Sequence, residues 1–536
     1  MIPPGPRYLF RLAFPQVISV IYSTPSSAFF AYPAYLLARL WLRDHRNSRR
    51  AAELGAVRPP AVKESSYSIV SAIVNSFNNG YTGDCFFEWT KQYGYIFRMK
   101  TYGEERIMTV EPEHIKAIMA TKFEDFEKGP VIFDQIHSLF HRNMTRPFFN
   151  RNRITDFDNF NRHTESTISA IKTRLAQGYP IDFQDVVARF TLDSATEFLF
   201  GKDVGSLGAN LPYPAGSPLA QDPTILNHPS NVFVRAFMQG QMATAYRSRL
   251  GMNWPLKEFW SDKVLPHRRL VDEFVNPILE NRKRERLAMT ANIEKSGDWE
   301  AETLLDHLID SEYTDPKVIK DELVNILVAG RDTTASLLTF CIYVLTERSD
   351  ITTKLRREIA EKVGANTCPT YKIISEMKYL RAFLNETLRL YPSVPFTRRT
   401  TKNPVVFPSI KGKPGYYIPA GVQCQYSVFL MHRRQDLWGP DALEFDPDRF
   451  IDERLHKYLI PNPFIFLPFS AGPRICLGQQ IAWDIQPEAS KTPASWTPTH
   501  GTTKGCDKVL HTTHLTMSVK EALWVRMKET SLAEAA

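Results

Sequence analysis

Residues 469–478 read Phe-Ser-Ala-Gly-Pro-Arg-Ile-Cys-Leu-Gly, and the meaning of this stretch decides the fold. A cysteine taken alone is most often a small buried apolar residue. The neighbours of Cys476 suit another task. A thiolate bound to iron needs its charge tempered by nearby backbone N–H groups, and Gly472 and Gly478 let the backbone come close to the sulfur and to a flat cofactor beside it. Phe469 would keep water from the sulfur, and Arg474 offers a forked cation to a carboxylate of that cofactor. These residue types serve a thiolate set beneath a porphyrin.

Upstream, Asp315 and Pro316 supply an N-cap and a first-turn proline. The chain then stays largely apolar from Leu323 to Leu345, which predicts a long helix through the core. Its middle, Ala329-Gly-Arg-Asp-Thr-Thr334, puts a glycine and two β-branched threonines where helix propensity disfavours them. Such a local misfit marks either function or a packing glycine with threonines bonded back to the preceding turn. Glu386 and Arg389, spaced i and i+3, share a helix face, a pairing more often found on solvated surfaces.

Elsewhere the first two thirds of the chain is dominated by helical spacing, notably from Ile154 to about Phe200 and from Leu256 to Ser311. Two short strands are predicted around Tyr95–Lys100 and Arg106–Val110, followed by a helix opened by Glu111 and Pro112. From Pro404 to Phe450, β-type runs such as Gln425–Phe429 lie among prolines and glycines.

In this order the cysteine loop, the Ala-Gly-x-Asp-Thr-Thr stretch at 329–334, the pair Glu386-x-x-Arg389 and the run Pro447-Asp-Arg-Phe450 resemble the cytochrome P450 family. The resemblance covers nearly all of residues 60–536. It implies a mainly α fold with a small β lobe, a triangular helical prism around haem b, in which the haem lies between the cysteine loop and the long helix. It further implies that Cys476 ligates the iron and that Phe469, Gly472, Arg474, Gly478, Arg142 and Arg399 surround the cofactor, with Arg142, Arg399 and Arg474 on its propionates. Thr333 and Asp332 then hold water and deliver protons on the distal side, while Glu386, Arg389 and Arg449 form a buried triad. The implied activity is a monooxygenase that inserts one oxygen atom from O2 into a C–H bond. Tyr426–Arg434 and Ala442–Phe450 look like the fungal microsomal branch that hydroxylates alkanes and fatty acids, so a long apolar chain is the expected substrate.

No Gly-rich phosphate loop is present, so electrons are expected from NADPH through a separate NADPH-cytochrome P450 reductase. The net charge is +8. Residues 12–38 carry no charge, and Arg39, Arg43, Arg46, Arg49 and Arg50 follow against the single Asp44. That order fits a signal anchor with a cytoplasmic basic flank, although Pro15, Pro25 and Pro33 also permit an interfacial segment lying in membrane lipid. The domain plan is therefore an anchor and proline linker over 1–58 and a haem-thiolate domain over 60–536. The expected location is the endoplasmic reticulum membrane, with the catalytic domain facing the cytosol. A nucleic-acid partner is not expected, because the arginines flank an apolar span and no binding module accompanies them. Cys85, Cys341, Cys368, Cys424, Cys476 and Cys506 show no paired spacing, so neither a disulfide framework nor a CxxC metal site is suggested. His511 and His514 near Cys506 lack a fourth ligand for zinc.

Two departures from the family stand out. Ser138 replaces the tryptophan usual four residues before the propionate arginine, Arg142, and the segment near 139–140 looks shortened by roughly a dozen residues. After Trp483 the chain turns rich in Pro, Ser and Thr through Thr503, where the family has an apolar helix. Family-like sequence resumes at 514–518 and 523–527. Two rival readings follow: a non-catalytic remnant deficient in haem, and a haem-thiolate isomerase or dehydratase. The Asp332–Thr333 acid-alcohol pair disfavours the second rival.

Overall fold

The computed structural model describes residues 25–78, 81–129, 145, 148, 157–293, 303–310, 315–364, 369–410, 412–476, 509–520 and 522–527. In chain order the long helices are Pro25–Glu53 (α1), Ser66–Asn78 (α2), Asp84–Tyr93 (α3), Phe157–Ala176 (α4), Phe183–Phe200 (α5), Pro229–Leu250 (α6), Leu265–Ile293 (α7), Pro316–Glu347 (α8), Ser349–Lys362 (α9) and Lys378–Leu390 (α10). The strands are Ile96–Thr101 (β1), Glu104–Thr109 (β2), Phe126–Glu127 (β3), Ile181–Asp182 (β4), Phe396–Thr401 (β5), Val405–Phe407 (β6), Tyr416–Ile418 (β7), Gln423–Ser427 (β8), His511–Thr513 (β9), Met517–Val519 (β10) and Trp524–Val525 (β11). A mainly helical body with a small β region is what the sequence led us to expect.

Helix α8 starts where its sequence says it should. Asp315 accepts a hydrogen bond from the Lys317 amide at 2.8 Å, and Pro316 fills the first turn, where its missing N–H is no loss. The helix then passes through two apolar cores. Ile319, Leu323, Ile326 and Leu327 pack with residues of α5, α6 and α7, whereas Ala335 to Leu345 pack with the sheet, α2 and α10. Between them, Ala329 and Gly330 are exposed.

The main sheet has the order β1-β2-β8-β5-β3. Strands β1 and β2 form an antiparallel hairpin, β2 runs parallel to β8, and β5 is antiparallel to both β8 and β3. The β1–β2 turn uses Tyr102 and Gly103 with φ of 47° and 87°, which glycine adopts without strain and tyrosine rarely does. The segment around Arg58 runs between this sheet and the separate β6–β7 hairpin, bridging to Arg98 of β1 through Ala61 and to Tyr416 of β7 through Val57. Val57 exchanges backbone hydrogen bonds with Gly415 and Tyr417, and Arg58 pairs with Glu105.

Several local expectations change. The run Gln425–Phe429 is not one strand: Ser427 accepts from the Leu430 amide at 3.2 Å and caps a short helix, Val428–Met431. The pattern from Leu256 to Ser311 is broken, because Asp262 accepts from the Val264 and Leu265 amides and α7 begins only at Leu265. The pattern from Ile154 to Phe200 divides into α4 and α5 around β4. For the anchor, no helix among the described residues is long and apolar enough to cross a membrane. Residues 1–24, which include residues 12–24 of the expected span, lie outside the described residues.

Glu386, Arg389 and Arg449 are removed from water, at 0%, 0% and 2% exposure. Arg389 grips Glu386 through two bonds of 2.6 and 2.8 Å. It also donates to the carbonyls of His432 (2.8 Å), Ala442 (2.6 Å) and Glu444 (3.1 Å). Glu386 accepts in addition from the Asp446 amide at 2.9 Å, and Arg449 lies 3.6 Å away while bonding the carbonyls of Trp438 and Asp441. An ion pair this buried tolerates the loss of one partner badly, because the other is left charged in a medium of low polarity. Arg389→Met is expected to destabilise the protein by about 3–5 kcal/mol, read as a lower urea midpoint. An unchanged midpoint would show that the pair contributes no more than a surface bridge.

Candidate functional site

The chain approaching Cys476 is held as a closed turn. The Cys476 amide donates to the Phe469 carbonyl at 2.9 Å, the Ser470 amide to Leu467 at 3.2 Å and the Ile475 amide to Gly472 at 3.1 Å. Ser470 and Gly472 both take positive φ, 67° and 63°. At Gly472 a Cβ would stand 2.4 Å from the Met119 carbonyl oxygen, so glycine is the residue that fits. Phe469 packs against the main core behind the turn. Cys476 ends exposed, whereas Cys341 and Cys424 are buried. Burial pushes the thiols of Cys85 and Cys341 up to about 12 and that of Cys424 higher still, so all three stay protonated. Among the described cysteines, Cys476 is the exposed one.

Helix α8 carries the distal residues that the sequence singled out. Its exposed middle at Ala329 and Gly330 is odd for a core helix, and a Cβ built on Gly330 would meet nothing within 4 Å. Thr333 donates its hydroxyl to the Ala329 carbonyl at 2.7 Å. The back-bonded threonine of the bland reading is therefore real, and its oxygen keeps lone pairs to accept from a bound molecule. Ser393 donates to the Thr333 carbonyl at 2.8 Å. Asp332 bonds Arg331 at 2.7 Å. Burial raises its carboxyl above the ordinary value, with Arg331 and Gln241 opposing that rise.

Arg399 lies on β5, opposite Cys424 of β8. Its Nη1 donates to the Arg398 carbonyl at 2.7 Å, but its buried Nε has no hydrogen-bond partner. A buried unsatisfied N–H of a cation costs about 1–3 kcal/mol or more, and a carboxylate placed here would remove that cost. Arg474 belongs to a 3-10 turn, Gly472–Arg474, with its side chain outside the described residues. Arg142 and Gly478 lie outside them altogether, as do Cys368 and Cys506 of the scattered cysteines. The orphan Nε, the open middle of α8 and the exposed thiol on a glycine-dependent turn are what a flat, carboxylate-bearing iron porphyrin requires.

The family model described as Cytochrome P450 matches residues 74–483. The chain belongs to the cytochrome P450 family. Cytochrome P450 52A3-B of Candida maltosa is 34% identical over 469 residues, covering 82% of this chain and 85% of that protein. Cytochrome P450 monooxygenase g430 of Fusarium sp is 32% identical over 482 residues, covering 84% and 81%. Cytochrome P450 52-M1 of Starmerella bombicola is 30% identical over 421 residues, covering 72% and 75%. The chain is thus a P450 monooxygenase by family, and the family implies a haem cofactor and electrons from a reductase.

Within this P450, sequence reading missed His432. The histidine is fully buried, donates from Nδ1 to the Arg389 carbonyl at 3.1 Å and accepts at Nε2 from the Leu467 amide at 3.0 Å. It therefore ties the charged triad to the strand of chain entering the cysteine turn. Burial, helped by the charge of Arg389, holds its pKa down to about 3. The folded protein then binds one proton fewer here than the unfolded chain as pH falls below 6.5, so stability is lost on acidification through that window. His432→Gln keeps a polar side chain but cannot charge. It is expected to remove a slope of up to about 1.4 kcal/mol per pH unit from the acid limb of stability between pH 6.5 and 3. Urea titrations at stepped pH check this, and parallel acid limbs for the two proteins would refute it.

Proposed function

We propose that this chain is a membrane-bound haem-thiolate monooxygenase acting on a long apolar chain, an alkane or a fatty acid. The observation that carries the reading is the pairing of an exposed Cys476 on a closed turn with a core helix that opens at Ala329 and Gly330. The cofactor is haem b. When bound, it supplies oxygen activation at iron, and thiolate ligation favours O–O cleavage.

The residues of the chain do the rest. Cys476 holds the metal as a thiolate, with Gly472 and Gly478 giving the backbone its close approach and Phe469 excluding water. Arg399, Arg474 and Arg142 hold the propionates. Thr333 offers its hydroxyl oxygen to a distal water, and Asp332, whose carboxyl burial keeps ready to take a proton, relays protons toward it. Electrons come from NADPH through a separate membrane-bound reductase. The resemblance of residues 426–434 and 442–450 to the fungal microsomal branch supports the substrate class.

A membrane location is supported by the surface. On α1, Tyr35, Leu37, Trp41 and Leu42 are exposed among Arg39, Arg43 and Arg46. Arg43 donates to the Gly103 carbonyl at 3.0 Å, so this helix sits by the β1–β2 turn with its exposed Tyr102. The same hairpin reaches the last turn of α6, just before the segment 251–264, through Arg106 and the Arg249 carbonyl at 3.3 Å. That segment exposes Leu256 and Trp260, the latter at 87%. Apolar side chains mixed with arginines on one side of a molecule suit the headgroup region of a bilayer. We place the chain on the cytosolic face of the endoplasmic reticulum.

Two measurements test this reading. Haem-reconstituted protein is expected to show a Soret band and the long-wavelength carbon monoxide shift on reduction, and Cys476→Ala to lose that shift. Identical spectra for the two proteins would sink the assignment of the iron ligand. Trp260→Glu with Leu256→Glu is expected to weaken flotation with phospholipid vesicles by about tenfold or more, as burial of two large apolar side chains would predict. Unchanged flotation would remove this surface from the membrane.

A further inference from the structure

Met119 sits beside the cysteine turn and is only 2% exposed. It lies in a π-turn, Ala117–Thr121, closed by the Lys122 amide on the Ala117 carbonyl at 3.0 Å. Such a turn winds in one residue more than an α-helical turn, a departure often found at functional sites. The thioether sulfur of Met119 accepts two hydrogen bonds. The Tyr426 hydroxyl donates to it at 2.8 Å and the Ser470 hydroxyl at 3.7 Å. Methionine sulfur is a weak acceptor, and a core methionine commonly serves to fill an irregular gap. Gap-filling does not explain two hydroxyls that converge on one sulfur from 307 and 351 residues away.

The two donors come from the two parts of the chain assigned to the cofactor. Tyr426 stands on β8 opposite Thr397 of β5, and two residues earlier Cys424 stands opposite Arg399. Alternate residues of a strand share a sheet face, as do cross-strand partners, so Tyr426 lies on the face that carries Arg399. Ser470 belongs to the turn that ends at Cys476. Met119 touches this turn a second time, because its carbonyl oxygen is the atom that a Cβ on Gly472 would strike. One residue thus reaches from the sheet to both left-handed positions of the turn.

Those two positions are not alike. Gly472 takes its φ of 63° freely, whereas Ser470, at 67°, carries a Cβ that disfavours the conformation. The Ser470 amide is tied to the Leu467 carbonyl at 3.2 Å, a bond open to any residue type except proline. Its hydroxyl is the tether that requires a serine, and that tether ends on the Met119 thioether. Without it the bend has less to oppose its strain.

We propose that Met119 is a positioning residue for the iron ligand. Its thioether gathers the Tyr426 and Ser470 hydroxyls, fixes the bend at Ser470, and so sets the direction from which Cys476 offers its sulfur. The assignment rests on the reading of Cys476 as that ligand and deepens it, because Met119 acts through Ser470.

The test uses the haem-reconstituted full chain, reduced and exposed to carbon monoxide. The readout is the ratio of the shorter-wavelength band of thiolate-free haem to the long-wavelength thiolate band. Met119→Leu conserves volume and removes the acceptor. It is expected to raise this ratio by about two- to fivefold, the worth of one weak hydrogen bond. Adding Ser470→Gly to Met119→Leu is expected to restore the wild-type ratio, because glycine takes the bend without a tether. A packing defect at Met119 would not be repaired by that second change. An unchanged ratio in Met119→Leu would overturn the proposal, and so would a rise that Ser470→Gly fails to reverse. Should Met119→Leu not fold, Ser470→Ala decides: it removes the hydroxyl, keeps the Cβ and must raise the ratio, and an unmoved ratio would overturn the proposal. Absence of the long-wavelength band from the wild type overturns the ligand reading and the proposal with it. A normal wild-type band with unmoved variants overturns the proposal alone.

Discussion

The pair Glu386–Arg389 is the fixed point of this structure. Both charges are wholly buried, and a carboxylate and guanidinium brought out of water gain from one another only if their remaining hydrogen-bonding capacity is also met. Here it is met by chain that has little regular structure of its own. The carbonyls of His432, Ala442 and Glu444 and the amide of Asp446 all end on the pair. Irregular chain from 432 to 446 is thereby locked to α10. His432 then hands the lock on to Leu467, two residues before Phe469 and the cysteine turn. The position of the exposed Cys476 thus depends on a charge pair far from it in sequence.

The middle of α8 shows how one residue can satisfy two readings. Thr333 bonds back to Ala329 as a structural threonine does, and in doing so fixes its rotamer. A hydroxyl with its proton committed is left as an acceptor. The poor helix formers at 330, 333 and 334 are tolerated because the flanking turns are anchored in separate cores, Leu323–Leu327 on one side and Ala335–Leu345 on the other. Glycine at 330 costs helix stability but leaves the space open.

What the sequence made legible was local or motif-borne. Asp315 and Pro316 announce α8, the glycines and phenylalanine around Cys476 announce the turn, and the family pattern carries the triad. What it concealed depends on partners distant along the chain. Ser427 ends β8 because its side chain caps the next helix, a choice that alternation of apolar residues does not encode. His432 and Arg249 carry no periodic signal, since their partners lie 35 and 264 residues away. Of the anchor's uncharged span only residues 25–38 fall among the described residues, where no helix is long and apolar enough to cross a bilayer.

Charge ties these parts together. The chain carries +8, and such an excess is commonly dispersed over a solvated surface. In this protein a share of it is held inside, at Arg399 with an unsatisfied Nε and around Arg249 with its neighbours Arg106 and Arg398. Adjacent residues of one strand, Arg398 and Arg399, point to opposite sheet faces. On one face Arg398 caps the end of α6, and on the other Arg399 keeps a buried Nε without a hydrogen-bond partner.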